Sequence, residues 1–227
     1  MKESIYAFLL LMTLIASNTM ALPHDFVYLK DVDPTIIQDV KYFTQDNFIG
    51  RPIKGYEKHT CIITKKAAAQ LAKIQQQLQK QSLGLKVYDC YRPQMAVDDF
   101  IQWSEDKLDQ KMKDAFYPRI NKADFFTLGY AGKKSSHTRG SAVDLTLVRL
   151  DKNNQFVHDL LMGTHFDYMD ELSHALSNAV QEDAKQNRLL LRNIMIANGF
   201  EPYDMEWWHF TLKDEPFPDT YFNFPVV

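Results

Sequence analysis

An α+β domain is what this sequence predicts, and three observations carry that expectation. Two segments have helical apolar periodicity, three alternate as strands do, and they follow one another without a repeating strand–helix–strand order. The 227 residues suffice for one compact domain with a real core. Residues 26–60 are rich in turns and aromatics, with a strand-like stretch from Gln38 to Tyr42. Lys65 to Gln81 reads as a helix of alanine, leucine, lysine and glutamine, its apolar stripe made by Ala69, Leu71, Ala72, Ile74 and Leu78. Ser82-Leu83-Gly84 ends it. Leu85 to Asp89 alternates as a strand and delivers Tyr91-Arg92-Pro93 at its end, where Pro93 opens a helix through roughly Trp103.

Residues 104–133 are charged and mixed, which suits short helices and loop. From Ser141 to Val148 the chain alternates again: Ala142, Asp144 and Thr146 face one way, Val143, Leu145 and Leu147 the other. A long polar connection over 150–180 contains Met162-Gly163-Thr164-His165-Phe166-Asp167. Glu182 to Asn198 is helical and closed by Gly199, and Glu206 to Leu212 is the last strand.

Lysine plus arginine at 26 against 29 acids gives a net charge of -3, with no basic run to displace phosphate counterions, so nucleic acid is excluded as a partner. A lysine followed by the apolar run Ile5 to Ala16 and small residues up to Ala21 has the form of an export signal, too short to span a bilayer. Residues 1–21 are therefore read as a signal peptide and 22–227 as the mature, periplasmic domain, with no stable membrane insertion after cleavage. Cys61 and Cys90 are the two cysteines. In an oxidising compartment they can bridge; the alternative is two small buried thiols that never meet. Neither belongs to a Cys-x-x-Cys pair, so neither is read as a zinc ligand.

The chemistry concentrates in Ser135 to Asp144 and in Glu206-Trp207-Trp208-His209. Asp144 falls between two apolar strand residues, where a carboxylate is costly unless a metal or buried partner meets it. Gly140 lets the chain turn so that His137 and Asp144 aim at one point. With His209 they make a set of two imidazoles and a carboxylate, which leaves one position of a tetrahedral zinc open, as hydrolases require. Glu206 is the spare carboxylate for proton transfer. Positions three apart on a regular strand face opposite sides, so Glu206 and His209 share a site only if the strand is irregular near Trp207-Trp208. A Ser-His-Asp triad on Ser135 or Ser141 is the rival; it lacks a nucleophile elbow and leaves Glu206 and His209 without roles. Arg92 is either a surface arginine paired with a carboxylate or a cation over the scissile carbonyl.

Ser-x-His-x-x-Gly-x-Ala-x-Asp with a distal Glu-x-x-His resembles the pattern of the zinc peptidases that cleave D-alanyl peptides, a family sharing its fold with the hedgehog signalling domain. Tyr42 to Gly50, Asp89-x-Tyr91-Arg92-Pro93, the 135–147 segment, Met162-Gly163-Thr164-x-Phe166-Asp167, Gln186-Asn187-Arg188, Glu206-Trp207-Trp208-His209 and Asp214-Glu215-Pro216 narrow the likeness to the D-alanyl-D-alanine dipeptidases of the VanX type. The resemblance runs from about residue 26 to the C-terminus. It implies a single domain with an antiparallel sheet flanked by helices, and one zinc on His137, Asp144 and His209. Glu206 would be the general base and Arg92 the holder of the substrate carbonyl. Ser135, Asp167 and Tyr42 would receive the ammonium of the dipeptide. Resistance enzymes of that type act in the cytoplasm, so an exported relative points instead to salvage of D-alanine from wall turnover. The other readings are a murein D,D-carboxypeptidase or endopeptidase of the same fold and a zinc-holding binding module without catalysis.

Overall fold

The structure, a computed structural model, describes residues 21–125, 127–130 and 132–227, so the expected export signal, apart from Ala21, lies outside the described residues. Strand β1 (Phe26–Tyr28) runs into a short helix α1 (Leu29–Val32), followed by β2 (Ile37–Gln38) and β3 (Ile62–Thr64). Then come helix α2 (Lys65–Gln79), β4 (Leu83–Asp89), α3 (Gln94–Glu105) and α4 (Lys113–Phe116). The second half holds β5 (Ala142–Leu150), β6 (Phe156–Asp159), α5 (Glu182–Ala197), β7 (Phe200–Tyr203) and β8 (Glu206–Leu212). The class is α+β.

Helix α2 begins where Thr64 turns its hydroxyl onto the backbone N–H of Ala67, an N-cap. Helix α5 carries Glu182 and Asp183 in its first turn, where the positive end of the helix dipole favours them, and stops before Gly199, whose φ is +85°. Helix α3 starts one residue after Pro93, which is its N-cap rather than its first turn. Leu71, Ile74 and Leu78 of α2 and Leu191 and Met195 of α5 are buried in one core cluster with Leu85, Val87, Val143, Leu145, Leu147 and Phe210 of the sheet. Each such buried aliphatic or aromatic side chain stabilises by roughly 1.5–3 kcal/mol.

The main sheet has six strands, ordered β2-β4-β5-β8-β7 with β6 also paired to β5, while β1 and β3 form a separate antiparallel pair. The sheet is antiparallel as expected, apart from β2, which runs parallel to β4. The chain between them, through β3 and α2, supplies the crossover that a parallel pair requires. Strand β5 is the centre. It pairs along β4, and on its other edge meets β8 with its first half and β6 with its second. Pro202 faces Phe210 and Tyr203 faces Glu206, so Trp207, Trp208 and His209 are extra residues on β8 at that register shift. The irregularity falls across the two tryptophans.

Cys61 and Cys90, both buried, are joined by a disulfide that fastens the chain before β3 to the chain after β4. Closing a loop of 29 residues is worth about 3.5 kcal/mol in the chain-entropy account. Gly140 has φ +84°, and a Cβ there would lie 2.2 Å from the Phe26 ring. Gly140→Ala therefore combines left-handed strain with overpacking and is expected to lower unfolding stability by about 2–5 kcal/mol in urea denaturation.

Candidate active site

The register of three strands builds the centre. Asp144 on β5 stands directly opposite His209 on β8 and opposite Asp89 on β4, which puts all three side chains on one face of the sheet. His137 is brought over them by a 3-10 turn, Ser136–Arg139, that Ser135 caps and Gly140 ends. His137 Nε2 lies 3.1 Å from His209 Nδ1 and 3.2 Å from Asp144 Oδ2, and His209 Nδ1 lies 3.0 Å from Asp144 Oδ1. One ligand atom from each residue falls within 4.8 Å of the others.

The far side of each ring is also occupied. His137 Nδ1 is 2.7 Å from the Cys90 carbonyl oxygen, which can only accept, so the proton resides on Nδ1 and Nε2 turns its lone pair inward. His209 Nε2 meets the hydroxyls of Ser136 at 3.1 Å and Thr211 at 3.3 Å. Either hydroxyl can accept from an Nε2–H, the tautomer that leaves Nδ1 free for the centre. Burial holds the His209 imidazole below its usual pKa, in the neutral form that binds metal.

Charge around this point is unbalanced. Burial works against ionisation of Asp144, but in the metal-free protein the charge and hydrogen bonds that His137 and His209 can offer it outweigh that and hold its carboxyl well below the usual range. Burial, then the negative charges of Asp144 and Asp167, push Glu206 well above the carboxylate range; burial and Asp144 do the same to Asp167. Arg92 offsets part of this. Its Nε donates to Asp89 at 2.9 Å, its outer nitrogen stands 3.5 Å from Asp144, and its guanidinium lies over the Tyr42 and Phe100 rings. An excess of buried carboxylate around three converging lone pairs of nitrogen and oxygen suits a divalent cation. His137, Asp144 and His209 are the residues that could hold it.

The pocket beside them has a volume of about 260 Å³ and is lined by Tyr42, Arg92, Ser135, Asp167 and Glu206, among others. Sites for drug-sized ligands run from about 300 to 1,000 Å³, so this one fits something small. Asp167 accepts a hydrogen bond from the Tyr42 hydroxyl at 2.8 Å and adopts φ +59°, a strained setting for a residue other than glycine. Arg188 enforces it: buried on α5, it donates to the carbonyls of Met162, Leu172 and His174 and so shapes the loop that carries Asp167. Ser135 lines the pocket while its hydroxyl caps the His137 turn.

All the residues singled out in the sequence thus border one pocket, apart from the two cysteines behind it. Four partners were not read from the sequence. Asp89, fully buried, accepts from Tyr56, Arg92 and its neighbour's amide. Ser136 and Thr211 seat His209, and the Cys90 carbonyl seats His137. Asp89 had a signal, a carboxylate at a buried strand end, whereas a backbone carbonyl leaves none.

A family model described as D-ala-D-ala dipeptidase matches residues 23–227. The chain belongs to this family. It is 43% identical over 201 residues to the D-alanyl-D-alanine dipeptidase of Enterococcus faecium, covering 88% of this chain and 98% of that protein. With the D-alanyl-D-alanine dipeptidase of Streptomyces coelicolor it shares 42% over 203 residues, 89% and 98% of the two chains. With that of Escherichia coli it shares 36% over 188 residues, 83% and 84%. Among the described residues of this dipeptidase-family chain, no helix is long and apolar enough to cross a membrane.

Proposed function

We propose that the chain hydrolyses free D-Ala-D-Ala to two D-alanines, using one zinc held by His137, Asp144 and His209. The observation that carries this reading is the meeting of that ligand set, Glu206 and the Tyr42–Asp167 pair in one small pocket. Zinc there would supply a Lewis acid that polarises the scissile carbonyl and makes water more acidic.

The remaining steps belong to the protein. Glu206, whose carboxyl burial and then Asp144 and Asp167 hold well above the usual carboxylate range, takes a proton from the attacking water and returns it to the leaving amine. Arg92, fixed by Asp89 and packed on Tyr42, donates to the carbonyl oxygen as negative charge grows there. Asp167 receives the ammonium of the dipeptide, helped by the Tyr42 and Ser135 hydroxyls. A free ammonium restores the charge that Asp167 is denied in the empty pocket, so blocked or longer peptides lose that pairing. The apolar, lysine-led N-terminus and the disulfide support export to the periplasm, where such an enzyme would salvage D-alanine from wall turnover.

The test is D-alanine release by the zinc-loaded protein from free D-Ala-D-Ala beside a pentapeptide ending in D-Ala-D-Ala. Cleavage of the dipeptide alone is expected. Cleavage of the pentapeptide would move the chain to the murein carboxypeptidases, and no release from either would favour a binding module. In the same assay Asp167→Asn is expected to raise KM for the dipeptide about 10- to 100-fold, the value of one lost charged hydrogen bond.

A further inference from the structure

We propose that the Cys61–Cys90 disulfide is a positioning element of the metal centre, acting on His137 through the Cys90 carbonyl. The inference rests on the reading of His137 as a zinc ligand. Four successive residues at the end of β4 and just past it serve the site. Asp89 holds Arg92, Cys90 offers its carbonyl to His137 Nδ1 at 2.7 Å, Tyr91 ties to Phe224, and Arg92 faces the pocket. The sheet does not fix this stretch. Strand β4 ends at Asp89, and its register with β5 has already slipped between Val87 and Asp89.

What fixes it is a second attachment, to β3. Tyr91 N–H donates to the Ile62 carbonyl at 2.8 Å, and the disulfide joins the neighbouring residue of each segment. Strand β3 belongs to the small β1–β3 sheet, so the bond fastens one sheet to the other at the point where the ligand is seated. Both cysteines are buried, Cys61 at 1% and Cys90 at 2% exposure, so the tether is part of the packed interior. Without it, among the described residues, the Tyr91–Ile62 bond would be the backbone link left between the two segments. The Arg92 N–H to His137 carbonyl bond, 3.3 Å long, would tie this stretch to the backbone of His137 but not to its ring, so the Cys90 carbonyl could drift from Nδ1. The imidazole would then populate the other tautomer and other ring angles, in which Nε2 no longer offers its lone pair. Partners behind a metal-bound histidine typically account for about 10- to 100-fold in metal affinity. Zinc retention would thereby depend on the oxidised state of a bond that touches no zinc ligand directly.

The experiment is a zinc dissociation constant, by chelator competition, for the oxidised parent, for Cys61→Ala/Cys90→Ala, and for the parent reduced with a water-soluble phosphine. In that reduction the phosphine takes the oxygen of one water, becoming the phosphine oxide, and the disulfide becomes two thiols. Folding of each form is checked by circular dichroism below its melting temperature. The expected result is a dissociation constant raised about tenfold or more in the folded double variant, with reversal on reoxidation of the reduced parent. A variant that melts earlier but holds zinc within twofold of the parent overturns the proposal and leaves a stability staple. If the double variant does not fold, the reduced parent at low temperature decides by the same criterion. An oxidised parent that binds no zinc would instead overturn the metal assignment itself.

Discussion

Glu206→Gln is expected to cut D-alanine release from D-Ala-D-Ala by about 10³- to 10⁴-fold, at the upper end of what general acid–base groups contribute, while one zinc stays bound. Glutamine keeps the shape of the side chain and cannot exchange the proton. The three converging ligand atoms come from His137, Asp144 and His209, so nothing in the metal's seat changes. Stability should not fall either. Burial, and then the charges of Asp144 and Asp167, hinder ionisation of Glu206, so its folded-state pKa is raised. Such a group favours the fold at pH below its unfolded value and loses that contribution as pH rises through the folded one. Removing its charge relieves the metal-free protein above that window, and thermal melts there should be unchanged or higher. Loss of zinc together with turnover would instead make Glu206 a ligand.

Arg92→Ala is expected to be inactive for another reason and, unlike the first variant, unstable. Losing one donor to a developing oxyanion costs about 10²- to 10³-fold in kcat. In the fold, Arg92 shares its charge with Asp89, whose side chain is 0% exposed. Breaking a buried ion pair from one side costs about 3–5 kcal/mol, because the other charge is left without a partner. The Tyr56 hydroxyl and the Cys90 amide still reach Asp89, which places the expected loss near the lower figure. Urea denaturation of the two variants side by side separates the roles. A stable Arg92→Ala, within about 1 kcal/mol of the parent, would mean that Asp89 does not depend on it.

Much of this site was legible because its ligands lie in short motifs with a physical cost attached. Asp144 between valine and leucine demanded a partner, Gly140 offered the turn, and the spacing of Glu206 and His209 required the irregularity found across Trp207 to His209. Helices α2 and α5 were legible from their composition and end signals, but the expected α2 stripe was partly misplaced: Leu71, Ile74 and Leu78 are buried with Ala67 and Ala68, whereas Ala69 is exposed, and the helix ends at Gln79 rather than Gln81. Four short strands were not. All four residues of β6 are exposed, so it has no alternation to read. Strand β7 contains Pro202, which argues against a strand except at an edge, where β7 in fact lies. Strands β1 and β3, three residues each, exist only by pairing with each other across the intervening aromatic loops. Tertiary pairing, not local pattern, made them.

Asp89, Asp144 and His209 stand in a row across β4, β5 and β8, and this row has a consequence for how the protein reaches its final state. A slip of one residue between two strands turns every side chain of the slipped strand to the opposite face. A misregistered sheet could still bury apolar side chains, since both faces of β5 are enclosed, but it would separate Asp144 from His209. The centre is thus a readout of register. A metal held by His137, Asp144 and His209, as proposed above, would bind only the sheet whose strands are correctly aligned; by mass action it would draw the population toward that sheet and so proofread its assembly.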